Sequence, residues 1–229
     1  MGKNHLKRIA MPKSWPVKRK GIKFITRPNP GAHKFVDSMP LAVLIKYILG
    51  YANSSREIKF ILNQNEVKIN GKRIKEPSFA VGFMDVIEFP KSKHIFRISY
   101  TEGGLFKAIK IKDDEKGLML CKITGKTKIR GGKTQLMLNN GRNILVDKDS
   151  HKTGDSLLIE VPGNKVKSHL KLENGCSIYI MDGKQKGSLG TLRSVEGSQI
   201  IFDKGKKEFK TLKEYAFVVG KDKPLIEIN

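Results

Sequence analysis

The sequence predicts an α+β fold that is mostly β, made of a basic extended N-terminal arm, a small domain with a helix pair, a central β domain and a C-terminal small barrel. Three observations predict it. Residues 1–36 hold ten Lys or Arg, four Pro and no Asp or Glu. Apolar residues then recur at helical spacing from Leu41 to Leu62. From about Thr101 onward, short apolar runs are cut by glycine turns, which is the pattern of small β barrels.

Length and charge set the frame. A chain of 229 residues fits two or three small domains with separate cores. Its 45 Lys plus Arg against 22 Asp plus Glu give a formal charge of +23, a field that draws in polyanions. Cys121 and Cys176 are too far apart in sequence to suggest a metal pair and too few for a disulfide framework, so both are expected to be buried apolar residues. The apolar run Leu41 to Ile45 stops at Lys46, and no stretch of about 20 apolar residues exists. A soluble, intracellular protein with no membrane span is expected.

The arm comes first. Pro12, Pro16, Pro28 and Pro30 break any long helix, and the apolar residues between them follow no period. Residues 1–36 are therefore expected to order only on a partner, with the domains after Asp37 folding without them. The candidate contacts are Lys3, His5, Lys7, Arg8, Lys13, Lys18, Arg19, Lys20, Lys23 and Arg27, with Trp15 and Phe24 between them; the Trp15 indole can stack on an unpaired base or pack on its own domain. Removing the arm's ten positive charges still leaves +13 on the other 193 residues. The basic character is distributed.

Ser38 and Pro40 suit a helix cap and first turn, and Leu41, Leu44, Ile45, Ile48 and Leu49 form one helical face that ends at Gly50. Ser54 and Glu57 have capping-box spacing ahead of a second helix with Ile58, Ile61 and Leu62 inward. Val67, Ile69, Asn70-Gly71 and Ile74 read as a hairpin whose turn requires positive φ. Arg56 and Lys59 can share an exposed helix face, and Lys68, Lys72 and Arg73 surround the hairpin turn. Together they make a candidate basic surface.

Strands are expected near 86–89, 95–98, 107–112, 118–123, 135–138, 143–146 and 157–161, with Asn140-Gly141 as another hairpin turn. Pro162-Gly163-Asn164 marks a boundary, after which strands are expected near 177–181, 190–195 and 199–203. Gly183 to Gly190 forms a glycine-rich loop whose backbone amides could approach phosphates, with Lys184 and Lys186 as its cations. A plain hairpin turn fits that loop equally well.

Catalytic patterns are absent from the sequence. Gly125-Lys126-Thr127 and Gly132-Lys133-Thr134 end like phosphate-binding loops, but the earlier glycine such loops need falls on Leu120 or Thr127. The five His residues never reach metal-ligand spacing, and Asp113-Asp114-Glu115 reads as a solvated turn. Neither an enzymatic activity nor a metal, cofactor or small-molecule substrate is expected.

Several ordered motifs resemble the small-subunit ribosomal proteins of the archaeal and eukaryotic four-e family. They are His5-Leu6-Lys7-Arg8, Pro12 to Trp15, Arg27-Pro28, Gly31-Ala32-His33-Lys34 and Ser38-Met39-Pro40-Leu41. The block Ser55 to Phe89, with Asn70-Gly71 and Gly82 to Ile87, resembles the alpha-L RNA-binding motif, although Asn65 stands where a glycine is common. Gly175, Ile178, Ile180, Gly183, Lys186, Gly187, Gly190 and Leu192 resemble a KOW motif on an SH3-like barrel.

The resemblance implies an arm over 1–36, an alpha-L RNA-binding domain over 37–100, a central β domain over 101–164 and a KOW barrel over 165–229. It adds His33 and Lys34 to the candidate RNA contacts. It implies a structural constituent of the small ribosomal subunit, bound to small-subunit ribosomal RNA and to other small-subunit proteins. The residues alone leave open an RNA-modifying enzyme guided by such a module, a KOW-bearing transcription factor, or non-specific DNA binding.

Overall fold

The computed structural model describes residues 5–147, 150–205 and 207–228. They form two compact units, one reaching to Ser99 and including Leu105–Lys116, the other made of Tyr100–Gly104 and the chain from Gly117 on. Among the described residues, no helix is long and apolar enough to cross a membrane.

In the first unit the helix Ser55–Gln64 starts where the capping box predicts. The Ser54 hydroxyl accepts from the Glu57 amide at 3.3 Å, and Glu57 accepts in return from the Asn53 amide and the Ser54 hydroxyl, both at 2.8 Å. Ile58 and Leu62 are its buried residues. Past the helix Asn65 keeps φ at −100° and Glu66 takes the left-handed conformation at +49°, so the turn is made without a glycine at 65.

The preceding helix differs from expectation at its start and in its winding. Ser38–Pro40 is a short strand paired with Ala80–Gly82 rather than a cap. One α turn, Leu41–Val43, then widens into the π turn Leu44–Ile48, closed by the Leu49 amide on the Leu44 carbonyl at 3.0 Å. Gly50 ends it at φ +67°, as predicted.

The hairpin Lys68–Ile69 and Lys72–Arg73 turns through Asn70 and Gly71 at φ +50° and +75°. It is the edge of a five-stranded sheet that continues through Val86–Phe89, His94–Tyr100 and Phe106–Lys110. The last strand lies in the stretch assigned from sequence to a central domain. It stays with the first unit because Val86, Ile95 and Ile111 share a buried cluster and Glu115 pairs with the buried Arg97. Asp113-Asp114-Glu115 is therefore not simply a solvated turn. A fully buried guanidinium requires a counter-charge.

Asp85 is the polar centre of this unit. Its carboxylate accepts from His33 Nε2 at 2.9 Å, the Gly82 amide at 2.8 Å and Asn70 Nδ2 at 2.8 Å, while Asn70 Oδ1 accepts from the Val86 amide at 2.9 Å. A Cβ at residue 82 would overlap the His33 ring, so glycine is required there. Burial opposes charge on His33, but the Asp85 carboxylate overrides it and raises the histidine's pKa. Burial likewise disfavours the Asp85 anion, and His33 together with the Gly82 and Asn70 donors overrides it and lowers its pKa.

The N-terminal residues are packed rather than extended in solvent. Leu6–Lys7 pairs with Phe24–Ile25. Leu6, Met11 and Trp15 are buried, Trp15 to 2% exposure with its indole N–H on the Ser38 carbonyl at 2.8 Å. Their irregular spacing carries no periodic signal because a loop, not a helix or long strand, gathers them. The expectation of an extended arm that orders only on a partner is corrected accordingly.

The second unit holds two antiparallel sheets. In one, Asn143–Val146, Thr134–Leu138, Leu118–Lys128, Ser156–Glu160 and Lys165–Leu170 are neighbours in that order. The last strand follows Pro162-Gly163-Asn164 yet pairs back across it, which moves the edge of this sheet beyond the predicted boundary at 164. In the other sheet the order is Lys207–Leu212, Gln199–Lys204, Leu189–Glu196, Ser177–Ile180 and Ala216–Gly220, so the final strand returns beside the first. Ile178, Tyr179, Phe202 and Phe217 fill its core. Cys121 and Cys176 are both buried and unpaired by disulfide, as expected.

Two stability outcomes follow. Trp15→Ala is expected to cost about 3–5 kcal/mol, the range for emptying a large aromatic site, and a denaturant melt with no loss would show the arm to be dispensable. The His33–Asp85 contribution is fully present between about pH 4 and 6.5, falls as pH rises through the raised histidine pKa and falls as pH drops through the lowered aspartate pKa. His33→Gln is expected to flatten the alkaline decline of melting temperature, and an unchanged decline would place its source elsewhere.

Candidate nucleic-acid interface

Helix Ser55–Gln64 turns Ile58 and Leu62 inward, which leaves Arg56 and Lys59 exposed to solvent. The hairpin joins the far end of that helix through Arg73, whose Nη2 donates to the Asn63 carbonyl at 3.0 Å and whose Nη1 lies 3.5 Å from Glu66. Lys72 is exposed on the same hairpin strand, and Lys68 is half-buried on the strand beside it. The structure thus brings the predicted helix and hairpin cations onto adjoining elements. Arg73 serves partly as the joint between them.

The arm residues divide into two groups. His5, Lys7, Lys13, Lys18, Lys20, Lys23 and Lys34 are exposed, and Arg27 is half-buried with its guanidinium 5.7 Å from the Phe35 ring centre. Arg8, Arg19, Trp15 and His33 have structural work instead. Arg8 donates to the Tyr47 hydroxyl at 2.6 Å, and Arg19 donates to the Ile9 and Met11 carbonyls at 2.7 and 3.1 Å. Trp15 has no face open to a base, whereas Phe24 is 46% exposed beside His5 and Lys23. Lys3 lies outside the described residues.

Three amides of the glycine-rich loop are engaged internally rather than open to a phosphate: Lys186 N on the Gly183 carbonyl, Gly187 N on the Ile180 carbonyl and Ser188 N on the Gln185 carbonyl, at 2.8–3.2 Å. Gly187 is needed because a Cβ there would strike the Thr101 carbonyl. The Lys186 side chain is only 13% exposed, with Nζ 4.1 Å from the Tyr100 ring centre. Lys184 is the exposed cation of this loop.

Sequence reading missed two features. One is the hairpin between Leu118–Lys128 and Thr134–Leu138, where Lys128, Arg130 and Lys133 are exposed around Gly131 and Gly132, both at positive φ with open space at the Cβ position. Its signal was present as the Lys-Ile-Arg-Gly-Gly-Lys run but was weighed only as a failed nucleotide loop. The other is Phe60, exposed on the basic helix, since a Phe in a helical stretch reads as core. Conversely, Lys122 is buried and donates to the Glu214 and Ala216 carbonyls at 2.7 and 2.6 Å, and burial lowers its pKa to about 8. No cluster of metal-binding side chains occurs among the described residues.

Known proteins share this arrangement. Residues 1–35 match the RS4NT domain, residues 39–87 the S4 domain and residues 92–166 the ribosomal family S4e. The small ribosomal subunit protein eS4 of Methanosphaera stadtmanae is 39% identical over 232 residues, covering 99% of this chain and 96% of the relative. Its counterpart in Methanocaldococcus jannaschii is 39% identical over 242 residues, covering 99% and 98%. The crystal structure of the 30S ribosomal protein S4e from Thermoplasma acidophilum is 31% identical with a TM-score of 0.72, over 81% of this chain and 96% of that one. The helix and hairpin described above fall inside the S4 match, and with near-complete coverage on both sides the chain belongs to the eS4 family of small ribosomal subunit proteins.

Proposed function

We propose that the chain binds small-subunit ribosomal RNA chiefly through the basic helix and hairpin of its S4 domain, with the exposed arm lysines as a second contact. The observation that carries this reading is the set Arg56, Lys59, Lys68 and Lys72 on adjoining elements of the S4 domain, in a chain that belongs to the eS4 family. In line with its family, the chain is a structural, non-enzymatic component of the ribosome. Phosphates supply the attraction, and each one neutralised releases counterions.

The finer organisation is part of the same proposal. Residues 37–100 act as the alpha-L RNA-binding domain, to which the strand Phe106–Lys110 adds, and the rest of 101–164 acts as the core of a central β domain. Residues 165–229 act mainly as an SH3-like barrel of the KOW type. Support for the barrel comes from its five antiparallel strands, the last returning beside the first. The exposed Lys128, Arg130 and Lys133 give the central sheet its own route to phosphate. Exposed Ile9 and Ile22 on the arm suit a contact with another small-subunit protein on the cytoplasmic ribosome.

A tagged copy of the chain is expected to sediment with small subunits through moderate salt, and a mainly free pool would overturn the reading. In filter binding to a small-subunit ribosomal RNA transcript, Arg56→Ala and Lys59→Ala are each expected to lower the slope of log affinity against log salt by about one. Arg56→Ala and Lys59→Ala with unaltered slopes would move the interface off this helix.

A further inference from the structure

Phe60 is 65% exposed on a helix whose other large apolar side chains, Ile58, Ile61 and Leu62, are buried or half-buried. It contributes little to the core. Helical spacing places Arg56 one turn before it and Asn63 and Gln64 one turn after, with Lys59 next to Arg56 on the side away from the ring, and Asn63 is the residue whose carbonyl receives Arg73 from the hairpin. The ring is therefore flanked by one cation and two amide side chains, with a second cation close by. The carboxylate closest by spacing, Glu57, is turned away, since both its oxygens accept from the cap at Asn53 and Ser54.

An exposed aromatic face beside a pair of exposed cations is the composition of a stacking platform for single-stranded nucleic acid, where cations hold the backbone and the ring takes a base. Charge decides between RNA and a protein partner here. An apolar protein surface would have to desolvate Arg56 and Lys59 without compensation, whereas an RNA loop neutralises both and offers a π-face to Phe60. We infer that Phe60 stacks on an unpaired base of the ribosomal RNA, so that this helix recognises a loop or bulge rather than continuous duplex. The inference rests on the proposed helix interface and names the RNA feature which that interface selects.

Full-length protein and a small-subunit ribosomal RNA transcript provide the test. Phe60→Leu keeps an apolar, helix-compatible residue at an exposed site, so its melting temperature is expected to match the parent. Its affinity is expected to drop about 5- to 100-fold with the salt slope unchanged. Phe60→Tyr, which keeps the ring, is expected to restore affinity to within about twofold. Parental affinity in Phe60→Leu alongside a reduced salt slope in Arg56→Ala would overturn the stacking inference and leave the interface standing. Parental RNA affinity in Phe60→Leu with impaired entry into subunits would overturn it in favour of a protein contact. Parental behaviour in both Phe60→Leu and Arg56→Ala would sink the inference and the interface together.

Discussion

The first unit depends on one buried carboxylate. Asp85 receives hydrogen bonds from the arm through His33, from the hairpin turn through Asn70 and from its own strand connection through the Gly82 amide. Three segments distant in sequence are held by one group that cannot be neutralised or moved without orphaning all three donors. A buried anion is tolerable only when its acceptor sites are filled, which is why the surroundings are so specific. Gly82 is part of the same constraint, since only a residue without Cβ lets the His33 ring come so close. The hairpin proposed as an RNA contact takes its position from this network, because Asn70 is at once its turn residue and a donor to Asp85.

Excess positive charge serves two purposes that composition merges. Arg8, Arg19, Arg97 and Lys122 are occupied within the fold, on Tyr47, on arm carbonyls, on Glu115 and on the Glu214 and Ala216 carbonyls. Long cationic side chains are suited to this because their stems pack while their heads reach distant acceptors. The cations left on the surface, Arg56, Lys59, Lys72 and the arm lysines, are the ones available to a polyanion. A chain that folds without its RNA must still keep those charges apart, and distributing them over both units lowers their mutual repulsion.

The glycines of the C-terminal loop illustrate how a motif can be present for packing. Gly187 admits the Thr101 carbonyl, and the neighbouring amides close the turn on themselves. A glycine-rich basic loop looks the same in sequence whether its backbone faces a ligand or faces its own protein. Direction is set by the strands around it, and those are tertiary facts.

Local chemistry was legible from the residues. The Ser54–Glu57 capping box, the Asn70-Gly71 turn, the Gly50 stop and most strands of the two later sheets stand where spacing and turn residues put them, because each depends on neighbours within a few positions. The charge and its polyanionic partner class were legible for the same reason. Tertiary structure alone decided what is buried. Trp15 belongs to the core rather than to a base, His33 to Asp85, Lys186 to Tyr100, and the strand Phe106–Lys110 to the first unit. Phe60, read as neither, is left in solvent. Burial is fixed by contacts far apart in sequence, and no local pattern encodes them.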